Sequence, residues 1–239
     1  MKRNYSICFI GIICGLLSYT TATATNITVD GSFGQSEWVG YSTNDDGVGS
    51  GGYVNPGYGG QAYDVEHTGL YFDSNTLYFG LQTGFDLVNG TTAYQPGDFA
   101  LDVNGDNAFD YAIDYTIATD GSVALSVYDV TEWTNTAISA WETIFEMSSG
   151  TLIGTGTGAF SSGDFNNVDG GISYVLEGNL DMNLFSDWNG SDDITLQWTM
   201  GCGNDVGTVT SAPVPEPATL LLFGTGLVGL AGFTRKKKE

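Results

Sequence analysis

Between Thr25 and Ala212 the sequence has no lysine and no arginine. All six basic residues of the 239-residue chain sit near its ends: Lys2 and Arg3, then Arg235, Lys236, Lys237 and Lys238. Of the 28 acids only Glu216 and Glu239 lie outside the central stretch, which therefore holds 26, against a single histidine, His67. A body without cations cannot neutralise phosphates, and this excludes nucleic-acid binding. It has no P-loop lysine and no arginine clamp for a nucleotide. An anionic membrane surface repels it. Its charges suit hard cations, and they keep it apart from other anionic polymers unless a metal bridges the two.

Cysteine is nearly absent as well. Cys8 and Cys14 fall in an N-terminal apolar run, which leaves Cys202 alone in the body. No disulfide can form there, and a reactive thiol would want a positive neighbour that the body does not have. Cys202 is therefore expected to be a small buried residue. One histidine excludes a zinc site of two or three His. No G-x-S-x-G accompanies it, so His67 is expected to be structural. Carboxylate pairs that hydrolyse glycosides stand roughly 5–9 Å apart. With 26 acids some pair reaches that spacing by chance, so acid content alone is no sign of a glycoside hydrolase, and no enzyme activity is expected.

What is present is glycine, 35 residues of it, with 13% aromatics. With almost no Lys or Arg, this composition reads as an exported β protein. The N-terminus fits. Lys2-Arg3 precede the apolar run Ile7 to Leu17, and Ala22-Thr23-Ala24 gives an A-x-A site. Residues 1–24 are predicted to be a signal helix cleaved after Ala24. Residues 25–212 then form one domain, long enough for a sizeable core.

At the other end, Pro215-Glu216-Pro217 precedes the uncharged run Ala218 to Phe233, and Arg235 to Lys238 follow it. Residues 213–239 thus read as a proline punctuation, a short transmembrane helix and a basic stop. Gly224, Gly226, Gly229 and Gly232 supply a small-residue face for helix contact. This three-part pattern resembles PEP-CTERM sorting signals. The resemblance implies recognition by an exosortase, a membrane transpeptidase-like protease of Gram-negative bacteria that make extracellular polysaccharide. It implies an inner-membrane precursor that is then processed near the motif, with the body released or attached at the surface. Pro215, Glu216 and Pro217 would be recognition residues, supported by the Arg235, Lys236, Lys237 and Lys238 tail.

The body is expected to be all-β: a single antiparallel β-sandwich, jelly-roll-like. One hairpin pairs Phe72 with Leu77 across Asp73–Thr76. That puts Leu70, Phe72, Leu77, Phe79 and Leu81 on one face, where a one-residue slip would scramble them. A second hairpin alternates from Asp110 to Ala118 and returns through Val123, Leu125 and Val127. A three-residue Thr119-Asp120-Gly121 loop keeps those residues on the isoleucine side, so Gly121 is predicted left-handed in a G1 bulge. Further strands are predicted at Ile27–Val29, Phe99–Val103, Ile172–Asn179 and Ile194–Met200. One helix is predicted at Ser139–Met147, and a long glycine-rich loop at Tyr41–Gln61.

Ile27-Thr28-Val29-Asp30-Gly31, then Glu37-Trp38, Leu77-Tyr78-Phe79 and Gly97-Asp98-Phe99, resemble family 9 carbohydrate-binding modules and the related DOMON-like sandwiches over residues 27–115. The aromatic slot of such modules is not recognisable in the sequence, so the resemblance brings no sugar-binding residue with it.

The sharpest site motif is Asp102-Val-Asn104-Gly-Asp106-Asn-Ala-Phe-Asp110. Alternate oxygen side chains in a tight loop converge on a hard cation, and Ca²⁺ takes six to eight oxygens. Asp102, Asn104, Asp106 and Asp110 are the candidate calcium ligands. Ile113 stands where an EF-hand has its bidentate Glu, and Asn107 replaces the turn glycine, a role asparagine can fill. The alternative is an Asp/Asn-rich loop without metal. Asp64 and Glu66 share a strand face and are possible further ligands. Trp198 is expected in the core. Trp133 and Trp188, beside turn residues, are candidate stacking platforms for a polysaccharide.

Overall fold

The computed structural model describes residues 27–43, 60–73, 75–137, 143–165 and 171–213. The predicted signal segment, residues 44–59 of the predicted Tyr41–Gln61 loop, and the sorting segment beyond Pro213 lie outside the described residues. Alternating apolar residues set the strands: β1 (Gly40–Thr43), β2 (Val65–Phe72), β3 (Thr76–Thr83), β4 (Phe99–Asp102) and β5 (Tyr111–Ile117). They continue as β6 (Ser122–Asn135), β7 (Ile144–Gly163), β8 (Ser173–Asp181), β9 (Ile194–Thr199) and β10 (Val206–Ser211). Three short 3₁₀ turns, at Gln35–Glu37, Gln61–Tyr63 and Met182–Leu184, are the only helical pieces among the described residues.

All ten strands join one antiparallel sheet in the order β1-β2-β3-β8-β7-β6-β5-β4-β9-β10. The all-β antiparallel expectation holds. The form differs from the two packed sheets of a sandwich or jelly roll, because hydrogen bonding runs unbroken from β1 to β10. The sheet curls until its two edges meet, nearly closing a barrel, which covers both edge strands without a second sheet. Glycines allow the approach. Gly40 lies against Thr210 and Ser211, and Gly207 against Val65 and Thr68. Asp205, in the β9–β10 turn, ties the seam by accepting the Val65 N–H at 2.7 Å.

Both hairpins take the register the sequence dictates. Phe72 pairs with Leu77, and Leu70, Phe72, Leu77, Phe79 and Leu81 all enter the core. Ile117, Tyr115 and Ile113 pair with Val123, Leu125 and Val127. The turn between them has Gly121 at φ 82°. Trp198 and Cys202 are buried, and burial pushes the Cys202 thiol up.

Two local expectations are corrected. Ile144–Met147, the described end of the predicted Ser139–Met147 helix, opens β7, where Met147 pairs with Trp133 and Ile144 with Asn135. The backbone there bonds across to β6, and this outweighs a weak 3.6-residue pattern. Ile27–Val29 joins no strand. It leads instead into a segment whose Asp30 and Gly31 N–H groups bond the Glu177 side chain. β1, β7 and β10 were not expected from the sequence.

Candidate functional site

The loop between β4 and β5 brings three of the predicted ligands together. Carboxylate oxygens of Asp102, Asp106 and Asp110 lie within 4.8 Å of one another. Asp102 ends β4 and is buried, Asp110 is half-buried just before β5, and Asp106 is exposed at the tip. The loop folds on its own side chains. Asp102 Oδ1 accepts the Gly105 N–H at 2.8 Å, and Oδ2 accepts the Asn107 N–H at 2.8 Å. Asp106 Oδ1 accepts the Ala108 N–H at 2.8 Å. Asn107 takes φ 67°, the left-handed conformation its side chain tolerates.

Asn104 is placed differently from a ligand. Its Oδ1 accepts the Asp106 N–H at 3.0 Å, and its Nδ2 donates to Asp110 Oδ2 at 3.3 Å. It supports the loop and would have to turn its amide over to offer oxygen to a cation.

No lysine or arginine offsets this charge. Burial pushes the Asp110 carboxyl up to about 6, and the charges of Asp106, Asp102, Asp187 and Asp129 add to the shift. Asp187 also accepts the Tyr111 hydroxyl at 3.1 Å. Three hard oxygen donors in mutual repulsion could hold a hard metal ion.

Asp64 and Glu66 do not join this group. Both are buried at the start of β2, where a bulge interrupts the pairing between Val65 and His67. Glu66 is held by Gln82 Nε2 and by Ser173 Oγ, which donates at 2.6 Å. His67 stacks near Phe33 and bonds the Tyr41 hydroxyl through Nδ1 at 2.9 Å, a structural role.

The two tryptophans expected as platforms are both partly used inside the fold. Trp133 Nε1 donates to the Phe109 carbonyl at 2.9 Å. Trp188 packs edge-on against Phe72, with ring centroids 5.8 Å apart, and its Nε1 donates to the Asp192 carbonyl at 3.3 Å.

A cleft of about 240 Å³ opens elsewhere on the body, with Asp98, Asp114, Tyr115 and Glu146 in its wall. Asp98 Oδ2 accepts the Met147 N–H at 2.9 Å. Burial pushes Asp98 up to about 7 despite that bond, and Asp114 and Glu146 add repulsion. Asp114 is also raised by burial. The sequence did not reveal this group. Its members come from three separate stretches, and Glu146 lies in the run that reads as a helix.

Residues 213–236 match the PEP-CTERM protein-sorting motif. The match spans Pro215-Glu216-Pro217 and reaches into the basic tail. It implies an exported, membrane-anchored precursor sorted to the cell surface by an exosortase. No curated protein and no solved structure matches the chain. Among the described residues no helix is long and apolar enough to cross a membrane.

Proposed function

We propose that this chain is the precursor of a non-enzymatic cell-surface or extracellular-matrix protein of a Gram-negative bacterium. The observation that carries the proposal is the sorting motif at residues 213–236. Residues 1–24 direct export. Ala218–Phe233 then halts the chain in the inner membrane, with Arg235, Lys236, Lys237 and Lys238 on the cytoplasmic side. The exosortase recognises Pro215, Glu216 and Pro217 and releases the body, residues 25–212, for attachment or secretion. Mass spectrometry of the mature protein tests this directly. A C-terminus near Pro215 is expected, and Glu216→Ala should leave the uncut precursor in the membrane fraction. A mature protein that still carries Ala218–Phe233 would overturn it.

The body is calcium-supported at Asp102, Asp106 and Asp110. The crowding of these three carboxylates without a counter-charge supports that reading. Metal bridging would also let an acidic body adhere to an acidic extracellular polysaccharide, which mutual repulsion otherwise prevents.

The cleft favours a second reading, recognition of a polysaccharide by the body itself. Carboxylates such as Asp98 and Asp114 accept hydrogen bonds from sugar hydroxyls in the cleft, and Trp133 or Trp188, which do not line it, would offer ring faces for a separate stacking contact. A glycan screen read by tryptophan fluorescence separates this from the purely structural role. A protonated Asp98 is also what a glycoside hydrolase would use as general acid. Release of reducing ends, abolished in Asp98→Asn, would overturn the non-enzymatic reading.

A further inference from the structure

The segment Ile27–Trp38 forms no strand, yet it covers the outer face of β2, β3 and β8. Gly31 and Asp30 donate their N–H groups to Glu177 Oε2 at 2.8 and 3.1 Å. Ser161 Oγ on β7 donates to the Gly31 carbonyl. Phe33 and Trp38 stack at 5.3 Å and rest on Gly80, the cross-strand neighbour of Glu177.

Glu177 is 0% exposed. Its Oε1 has no hydrogen-bond partner, and neither does the buried Glu37 Oε2 or the buried Trp38 Nε1. The titratable groups facing Glu177 are Asp30 and Glu37, both acidic and both on the segment. Its cross-strand neighbours, Gly80 on β3 and Ala159 on β7, carry none. His67 and Tyr41, bonded to each other, sit with Phe33.

A charged Glu177 thus has like charges before it and no counter-ion. A neutral carboxyl accounts for the Glu177 part of this inventory. Its Oε2 keeps both amide bonds, and its Oε1 gains a hydroxyl to donate. Glu37 Oε2 is a buried acceptor in want of such a donor. A metal ion fits less well, because Oε2 is already taken by two N–H groups.

We propose that Glu177 is a proton latch: a proton on its Oε1, shared toward Glu37, fastens Ile27–Trp38 to the sheet, and loss of that proton loosens the segment and uncovers the aromatic face beneath. Burial pushes the Glu177 carboxyl from 4.5 up to about 7, against the two amide bonds and with the Asp30 and Glu37 charges adding. The latch is fully closed below the ordinary glutamate value and weakens as pH rises toward 7. Across that range the local opening constant increases on the order of a hundredfold.

Hydrogen exchange of residues 27–38 in the intact body, corrected for the intrinsic pH dependence of exchange, tests the latch. Protection of Asp30 and Gly31 should fall on the order of a hundredfold between pH 4.5 and 7 and level off above it. Glu177→Gln should hold protection flat. Glu37→Gln keeps an acceptor but removes a like charge, so its fall should be smaller than that of the wild type. If wild type and both variants lose protection alike, or if protection does not change with pH, the latch is wrong. If addition of calcium at pH 8 restores the protection that Glu177→Gln shows, the site holds a metal and not a proton.

Discussion

Gly69 and Gly80 face each other across β2 and β3, and together they floor the groove in which Trp38 lies. The absence of two side chains is what admits an indole onto an outer sheet face. A methyl group on Gly80 would come to 2.7 Å from Phe33 Cε2 and Trp38 Cζ2. Gly80→Ala should therefore destabilise the body by about 1–3 kcal/mol, measured by denaturant unfolding. In a background with both Phe33→Ala and Trp38→Ala the same substitution should cost much less, because the methyl then has free space. Equal costs in both backgrounds would show that the groove is not what Gly80 serves.

The body should be more stable in mild acid than at pH 8. Asp98 and Glu177 are each held at about 7 in the folded chain by burial, against ordinary values of 3.8 and 4.5. The folded state therefore binds protons that the unfolded state has released. That stability is fully present below the ordinary values and is lost as pH rises through about 7. Thermal melts in chelator at pH 5 and pH 8 should show the higher Tm at pH 5. Asp98→Asn should narrow the gap by raising the value at pH 8.

Calcium should stabilise the body. At a free concentration ten times Kd the gain is about 1.4 kcal/mol. It should appear as a higher Tm in calcium than in chelator. Asp106→Ala, which alters an exposed loop tip and no core contact, should remove most of the difference between the two melts.

Trp188 and Trp133 should separate core packing from ligand stacking. Trp188 packs against Phe72, so Trp188→Ala should cost about 1–2 kcal/mol in unfolding experiments. If a glycan binds by stacking, its fluorescence signal should survive this change and vanish in Trp133→Phe, or the reverse, according to which ring is the platform. A glycan titration unchanged in both variants would clear both residues of the role.

The hairpins were legible because two constraints agreed in each. Alternation put Leu70, Phe72, Leu77, Phe79 and Leu81 on one face, and only one loop length kept them there. The same holds for Gly121 and the Ile117–Val123 pair. The Asp102–Asp110 carboxylate group was legible because its members are close in sequence. β7 was not, since its glycine- and threonine-rich middle has no apolar period to read. Its register comes from pairing with β6 and β8. The barrel-like closure was hidden for a similar reason. It depends on Gly40 and Gly207 meeting residues far away in the chain. The clustering of Asp98 with Asp114 and Glu146, and of Glu177 with Asp30 and Glu37, is likewise long-range. In a chain with 26 acids in its body, only the fold can say which of them are buried together.

The sorting motif at residues 213–236 carries the central claim, and subcellular fractionation tests it most directly. The full chain and a chain ending at Ala212 should be expressed side by side in a bacterium that has an exosortase. The full chain should pass through the membrane fraction and reach the surface or matrix with its tail removed. The truncated chain should be exported yet bypass the membrane stage. Identical distribution of the two chains would contradict the account.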